Sequence, residues 1–290
     1  MEQAENRRKE TSRRIITGIA IAIALFFIWY VQGWPMRIAF AIMMILSMHE
    51  MYCAFIHAGT KPARVSGMIY AVLAMPAYLV FGVSGMIALF ALCVMIGLSC
   101  VILRGVVDFS AMQATIFPLI YPGLLFSLMF PLQDIQPPLL ATIAIGLAFL
   151  IALANDVMGY AIGVRFGKTK LSPNLSPKKS VEGAVAGLAG SIFISVAVPV
   201  VASWITNVLP AAQGYRTQLP ALWHFALMGL LGGVAGPIGD LTASLVKRHC
   251  GVKDYGALFP GHGGMLDRID SVIFGAAAIY CYFALVLKVA

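Results

Sequence analysis

Charged side chains are scarce in this sequence. Of its 290 residues only 11% are charged and 12 are acidic, whereas 60% are hydrophobic and the mean hydropathy is +0.90. A soluble domain of this length has no core large enough to bury so much apolar surface. The composition therefore excludes a soluble protein and predicts an all-α polytopic membrane protein, because a helix satisfies its own backbone polar groups within hydrocarbon.

Paired cysteines, internal repeats and low-complexity tracts are also missing. None of the five cysteines forms a Cys-x-x-Cys pair, which argues against a zinc site or a disulfide framework. The net charge of +8 would indicate nucleic-acid binding in a soluble protein. In a membrane protein the distribution of that charge matters more than its sum, so we expect no nucleic-acid partner.

The apolar residues form nine runs long enough to span a bilayer. The first run follows a basic segment but is not followed by a convincing cleavage site, so we interpret it as a retained helix rather than a signal peptide. The third and fourth runs are separated only by 81–85. The runs are 15–31, 36–55, 66–81, 84–104, 112–131, 138–164, 183–207, 220–246 and 269–288.

Lysine and arginine are unequally distributed between the two ends of these runs. With nine spans and a cytoplasmic N-terminus, 17 of the 20 lie on the cytoplasmic side and 3 on the other. This asymmetry is typical of the positive-inside rule. We therefore predict a basic cytoplasmic N-terminus (1–14), N-terminal transmembrane helices (15–135) and a C-terminal catalytic region (136–290), with cytoplasmic loops 165–182 and 247–268.

Most of the residue types that carry chemistry gather between positions 240 and 270. One predicted helix begins near Ala221 and a second near Met265, and glycines and a proline interrupt the segment between them. Glycines there let backbone amides approach a ligand closely. By helical spacing, one face of the first helix carries Asp240, Ser244, Lys247 and Arg248, and one face of the second carries Asp267, Asp270 and Ser271.

Carboxylates beside cations suit a site for divalent metal and phosphate. Mg²⁺ takes oxygen ligands and usually combines one or two carboxylates with waters and substrate phosphates. Paired ions can clamp both oxygens of a phosphoryl transfer, so we predict that Asp240 and Asp267 bind Mg²⁺, with two ions in the site. In the alternative interpretation the acids form a solvated cap at the membrane surface with Lys247, Arg248, Lys253 and Arg268.

A second polar segment follows the sixth run. Asp156 lies near the cytoplasmic end of an apolar helix, where an ionisable side chain is costly and indicates function. It could instead reach the surface or pair with Arg165. The lysines of this loop predict a phosphate-binding surface, although ordinary positive-inside charge explains any one of them; they are Lys168, Lys170, Lys178 and Lys179.

The order of these residues resembles the phosphatidate cytidylyltransferase family, also called CDP-diacylglycerol synthases. The C-terminal pattern that matches comprises Ser244, Lys247, Arg248, Lys253, Asp254, Gly256, Phe259, Pro260, His262, Gly263, Gly264, Asp267, Arg268 and Asp270. The earlier loop matches at Asp156, Tyr160, Gly163, Gly167, Lys168, Ser176, Pro177, Lys179, Ser180, Glu182 and Gly183. It departs at Val157, where the family has a hydroxyl, and at Gly159. The resemblance covers about 150 to the C-terminus; before that, only the string of spans and, weakly, Glu50 agree.

The resemblance implies an enzyme that uses CTP and phosphatidic acid to form CDP-diacylglycerol. It also implies a homodimer that lies in the bacterial inner membrane and is surrounded by membrane lipids. It implies metal binding by Asp240 and Asp267, with Asp156 and Asp270 as further ligands or in the outer shell, and leaves open a monovalent cation such as K⁺. It assigns phosphate binding to Lys179, Lys247, Arg248, Lys253 and Arg268, of which Lys179 and Lys247 act in catalysis with the two acids. It assigns hydroxyl contacts with the substrate to Ser176, Ser180 and Ser244. It assigns the shape of the loop around the nucleotide to His262, Gly263 and Gly264, although His262 could equally be a structural hydrogen-bonding residue.

Two other functions remain possible. One is a related enzyme that acts on another lipid phosphate or a polyprenol. The other is an ion-coupled transporter in which Asp156, Asp240 and Asp267 relay ions. Transporters tend to have repeated halves and acids near the bilayer midplane, whereas the acids predicted here cluster at one face.

Overall fold

Long apolar helices make up most of the protein. The computed structural model describes residues 27, 29–105, 107–173, 175–208, 219–259 and 263–289. Within these residues, seven helices are long and apolar enough to cross a membrane. This confirms an all-α polytopic membrane protein. The helices are α1 (Gly33–His57), α2 (Arg64–Ile102), α3 (Phe109–Leu132), α4 (Pro138–Phe166), α5 (Val181–Val208), α6 (Leu222–His249) and α7 (Leu266–Leu287).

Helix α2 covers two of the predicted runs. Its backbone is non-helical at Gly82, where φ is 66° and ψ is −161°, a conformation open essentially to glycine alone. The segments on either side, 64–81 and 83–102, are each of spanning length. The other predicted runs from 36–55 onward each correspond to one helix, whereas most of the first run, 15–31, lies outside the described residues.

The described chain divides into two compact units. The first comprises Met1–Ser127 and Val246–Ile269, and the second Leu128–Leu245 and Asp270–Ala290. The predicted boundary between 135 and 136 stays a prediction. The core of the first unit is rich in methionine and aromatic side chains, since flexible methionines fill irregular gaps between helices; fully or almost fully buried are Met36, Phe40, Met44, Met48 and Met51.

Polar side chains cross-link helices within each unit. In the first, the Tyr52 hydroxyl donates to the carbonyl of Thr115 at 3.0 Å. In the second, the buried Asn155 of α4 donates to Ser191 Oγ of α5 at 3.2 Å and to the carbonyl of Gly233 of α6 at 2.8 Å. A buried amide with satisfied partners fixes how three helices pack, and it does so next to Asp156.

The predicted loop 165–182 contains a hairpin that the sequence pattern does not indicate. Strand β1 (Lys170–Ser172) pairs antiparallel with β2 (Ser176–Ser180). Glu182, in the first turn of α5, accepts the backbone N–H of Lys168 at 3.1 Å and that of Thr169 at 3.2 Å. The hairpin is thereby tied to the start of α5.

Candidate active site

In the first unit, Lys247 and Asp267 form a buried ion pair. Lys247 Nζ lies 2.7 Å from Asp267 Oδ1, and the two side chains are 15% and 3% exposed. The other carboxylate oxygen accepts the backbone N–H of Tyr255 at 2.8 Å and that of Gly264 at 3.0 Å. Because both oxygens have charged or backbone donors, the cost of burying this carboxylate is offset.

The loop between α6 and α7 wraps this acid closely. Gly263 has a φ of 83°, in the left-handed region, and its carbonyl accepts the N–H of Phe259 at 3.0 Å. A Cβ atom at Gly263 would lie 2.8 Å from Asp267 Oδ2. The Lys247 ammonium lies 5.5 Å from the ring centroid of Tyr255, within cation–π range. The predicted glycines do bring backbone amides close to an anionic group, and in this structure that group is Asp267 itself.

Glu50 of α1 also binds this loop, although no role for it is predicted from the sequence. Its Oε1 accepts the N–H of Met265 and its Oε2 the N–H of Leu266, each at 2.9 Å. Glu50 is 9% exposed. The signal that could have found it is its position as the only acid in the apolar run 36–55, where a charge is costly.

In the second unit, Lys179 and Asp240 form an ion pair of a different kind. Lys179 of β2 bonds to Asp240 Oδ2 of α6, and the side chains are 31% and 26% exposed. Within the part of the chain that the structure describes, the carboxylate of Asp240 has no other hydrogen bond. This carboxylate is therefore accessible to solvent and held by a single side chain.

The predicted hydroxyl contacts lie in the same two regions of the second unit. Ser180, at the end of β2, is buried, and its Oγ accepts the N–H of Gly183 at 3.2 Å, as an N-cap does for the helix that follows. Ser176 is half-buried and pairs with Ser172 across the hairpin. Ser244 is half-buried on α6.

The remaining predicted site residues differ in exposure. Asp156 is exposed on α4, whereas Asp270 is buried and its Oδ1 accepts the N–H of Ser271 at 2.6 Å. The cations at the end of α6 and beyond it are exposed; they are Arg248, Lys253 and Arg268. His262 lies outside the described residues.

The burial and pairing of these acids can be compared with the two interpretations given above, a site for Mg²⁺ and phosphate or a solvated cap at the membrane surface. No cluster of three or more His, Cys, Asp or Glu side chains that could hold a metal occurs among the described residues. Mg²⁺ needs no such cluster when phosphates and waters supply the remaining ligands, so carboxylates beside lysines fit it. The solvated-cap interpretation agrees with the pairing of Asp267 with Lys247 but not with solvation, since the Asp267 side chain is only 3% exposed.

Comparison with known protein families matches residues 12–286 to the cytidylyltransferase family. The chain belongs to that family. The match includes the first half of the chain, where only the succession of apolar runs and, weakly, Glu50 agree with the family pattern. The matched range also contains the residues of both ion pairs.

Individual relatives of this family member are similar over most of its length. Phosphatidate cytidylyltransferase 5, chloroplastic, of Arabidopsis thaliana is 29% identical over 98% of this chain and 74% of the relative. Phosphatidate cytidylyltransferase of Bacillus subtilis is 29% identical over 95% of this chain and 98% of the relative. The Synechocystis phosphatidate cytidylyltransferase is 41% identical over 54% of this chain and 47% of the relative.

Proposed function

We propose that this protein is a phosphatidate cytidylyltransferase, which transfers CMP from CTP to phosphatidic acid and releases pyrophosphate. The observation that carries the proposal is the family match over residues 12–286, supported by relatives of that name over nearly the whole chain. The two Asp–Lys pairs supply the chemistry that such a reaction needs, since it joins two anionic phosphates. No observation among the described residues favours ion transport.

The reaction needs no side-chain nucleophile, because the lipid provides one. An oxygen of the phosphatidic acid phosphate attacks the α-phosphorus of CTP. The new P–O bond forms as the bond from that phosphorus to the pyrophosphate oxygen breaks, giving CDP-diacylglycerol and pyrophosphate. Catalysis then rests on holding the reacting groups in line and neutralising their charge.

Asp240 and Asp267 would bind two Mg²⁺ ions. Asp156 and Asp270 would be further ligands of these ions or would lie in their outer shell. The bound metal would withdraw negative charge from the phosphates. Lys179 and Lys247 are paired with the two acids in this structure. We propose that they turn to the phosphates when CTP binds, since an ammonium binds either anion. This exchange requires the least rearrangement at Asp240, whose pair is the more exposed.

The other predicted residues would complete the substrate site. The exposed cations bind phosphates, the hydroxyls donate to phosphate oxygens, and the loop encloses the nucleotide, with a monovalent cation such as K⁺ as a further component. These residues are Arg248, Lys253 and Arg268; Ser176, Ser180 and Ser244; and His262, Gly263 and Gly264.

We further propose nine spans with the N-terminus and the site at the cytoplasmic face, in a homodimer of a bacterial inner membrane. The orientation is supported by the 17 to 3 distribution of basic residues, and the number of spans by the non-helical backbone at Gly82 within α2. The homodimer and the bacterial inner membrane rest on the family resemblance alone. CTP is soluble and polyanionic, so a cytoplasmic site gives it access. The acyl chains of the lipid meanwhile stay in hydrocarbon.

The test uses purified protein in mixed micelles of detergent and phosphatidic acid, with CTP labelled at either the α- or the γ-phosphorus. The α-label should enter the lipid and the γ-label should appear in pyrophosphate, both only when Mg²⁺ is present. A chelator should stop both. A parallel assay replaces phosphatidic acid by a polyprenol phosphate to distinguish the related enzymes. Absence of labelled lipid with phosphatidic acid would overturn the proposal, and label in the polyprenol product alone would favour the related enzyme.

A further inference from the structure

Glu50 binds the turn that leads into α7. Its two carboxylate oxygens accept the N–H groups of Met265 and Leu266, each at 2.9 Å, so the side chain spans two successive amides. Leu266 is the first residue of α7. The first amides of a helix have no partners within the helix, and the helix dipole favours an anion at this end.

The Glu50 carboxylate fits against the loop only because two neighbouring positions are glycines and carry no side chain. A Cβ atom at Gly264 would lie 2.4 Å from Glu50 Oε2, and one at Gly256 would lie 2.7 Å from Oε1. Any side chain at either position would push the carboxylate off its amides. Glycines at these two positions therefore allow the backbone to approach an acid from a different helix.

The contact acts next to a proposed catalytic residue. Three successive amides are bound by two acids: that of Gly264 by Asp267, and those of Met265 and Leu266 by Glu50. Asp267 follows Leu266 directly, so the position of its carboxylate depends on how the preceding turn is held. Lys247 reaches Asp267 from α6, whereas Glu50 reaches the turn from α1.

We propose that Glu50 is a positioning residue, which holds the N-terminus of α7 so that Asp267 presents its carboxylate for metal and phosphate binding. The inference rests on the proposed function and adds to it a residue from the first half of the chain. Glu50 itself touches neither substrate nor metal in this proposal. Its carboxylate is already occupied by the two amides.

The test compares Glu50→Gln with Ser47→Ala in the full-length protein. Glutamine keeps the shape of glutamate but replaces one acceptor oxygen by a donor NH₂, which faces an amide donor. Ser47 is a matched control, because it is buried one turn earlier on α1 and its hydroxyl donates to Met43 O of the same helix at 2.7 Å. Gly256→Ala is the second probe, because it displaces the same carboxylate without altering it.

Two quantities are measured for each variant. The first is amide hydrogen exchange of the segment 263–268 in protein without metal or nucleotide, which should speed up at least about tenfold in Glu50→Gln and Gly256→Ala. The second is the Mg²⁺ concentration for half-maximal CMP transfer, which should rise roughly 10–100-fold, as for changes to groups that orient a metal ligand. Ser47→Ala should resemble the wild type in both. A loss of folded protein alone would lower the rate but leave the half-activating concentration unchanged.

If Glu50→Gln and Gly256→Ala keep wild-type exchange, or exchange faster with no change in the half-activating Mg²⁺ concentration, the positioning role is overturned. An equal shift in Ser47→Ala also overturns it. A wild type that transfers no label would instead overturn the proposed function, and the role of Glu50 in that reaction with it. The two failures are therefore distinguishable.

Discussion

The two Asp–Lys pairs have the same charges but different surroundings. In the Lys247–Asp267 pair the side chains are 15% and 3% exposed, and two backbone amides also bind the acid. In the Lys179–Asp240 pair they are 31% and 26% exposed, and among the described residues the lysine is the sole hydrogen-bonding partner of the acid. The first acid is fixed by the backbone, whereas the second is fixed by one flexible side chain.

This difference indicates how one type of pair can serve two purposes. A buried pair is expensive to break, since the remaining charge stays desolvated, so loss of Asp267 should destabilise the protein in addition to any effect on the proposed site. An exposed pair contributes little to stability. Asp240 is therefore the acid that can exchange its lysine for another cation at low cost.

The largest effect is expected for Asp267→Asn. It should lower CMP transfer by roughly a thousandfold, since a bound metal contributes several kcal/mol to charge stabilisation. It should also destabilise the protein by about 3–5 kcal/mol, because Lys247 is left buried without its counter-charge. Label transfer and thermal unfolding in detergent measure the two effects. A variant as stable as the wild type would show that the pair is not buried in solution.

Asp240→Asn should lower transfer as severely but leave stability almost unchanged. The pair is partly exposed, so its loss should cost about 0–1 kcal/mol. The same two assays apply, with both variants inserted in membranes at equal level. Equal destabilisation by the two substitutions would remove the distinction between the pairs, and full activity of either would refute its metal role.

Lys179→Ala tests whether this half-buried lysine has a specific role or contributes only positive charge. We expect transfer to fall about 10–100-fold, the range for losing one hydrogen bond to a charged group. Lys178→Ala is the control, since Lys178 is the exposed neighbour with the same charge and should change the rate less than about twofold. Equal losses in both variants would mean that the lysines of this loop act through net charge alone.

The smallest effect is expected at two glycines between α6 and α7, of which only Gly263 is in contact with Asp267. Alanine in the left-handed region costs about 1–2 kcal/mol, which should apply to Gly251→Ala and Gly263→Ala alike. Gly263→Ala also places Cβ 2.8 Å from Asp267 Oδ2, whereas no atom lies within 4 Å of a Cβ at Gly251. Activity should therefore fall further in Gly263→Ala at matched amounts of folded protein. Equal activity would argue that the loop does not press on Asp267.

Much of the fold could be predicted from the sequence, because a bilayer imposes a simple length and hydropathy rule on each span. The break in α2 is expected from the glycines near position 82. The starts of α6 and α7 are expected where apolar residues resume after a polar segment. The hairpin 170–180 could not be predicted in the same way, since its strands are short and polar and carry no clear alternation.

The candidate residues could be singled out from the sequence, but the way in which they pair could not. Asp267 and Lys247 are identified by spacing and motif, yet the sequence gives no measure of their burial. The partner of Asp240 is Lys179, which lies in a different polar segment, and Glu50 binds amides 215 and 216 positions away. Such contacts depend on tertiary packing, and local sequence periodicity carries no information about contacts between residues that are distant in the chain.

Binding of Mn²⁺ in place of Mg²⁺, measured by electron paramagnetic resonance with CTP present, is the decisive measurement for metal binding by Asp240 and Asp267, because it reports on the two acids without requiring turnover. If Asp240 and Asp267 both hold metal for the transfer, then Asp240→Asn and Asp267→Asn should each weaken Mn²⁺ binding by at least about tenfold. Wild-type affinity in either variant would contradict the account.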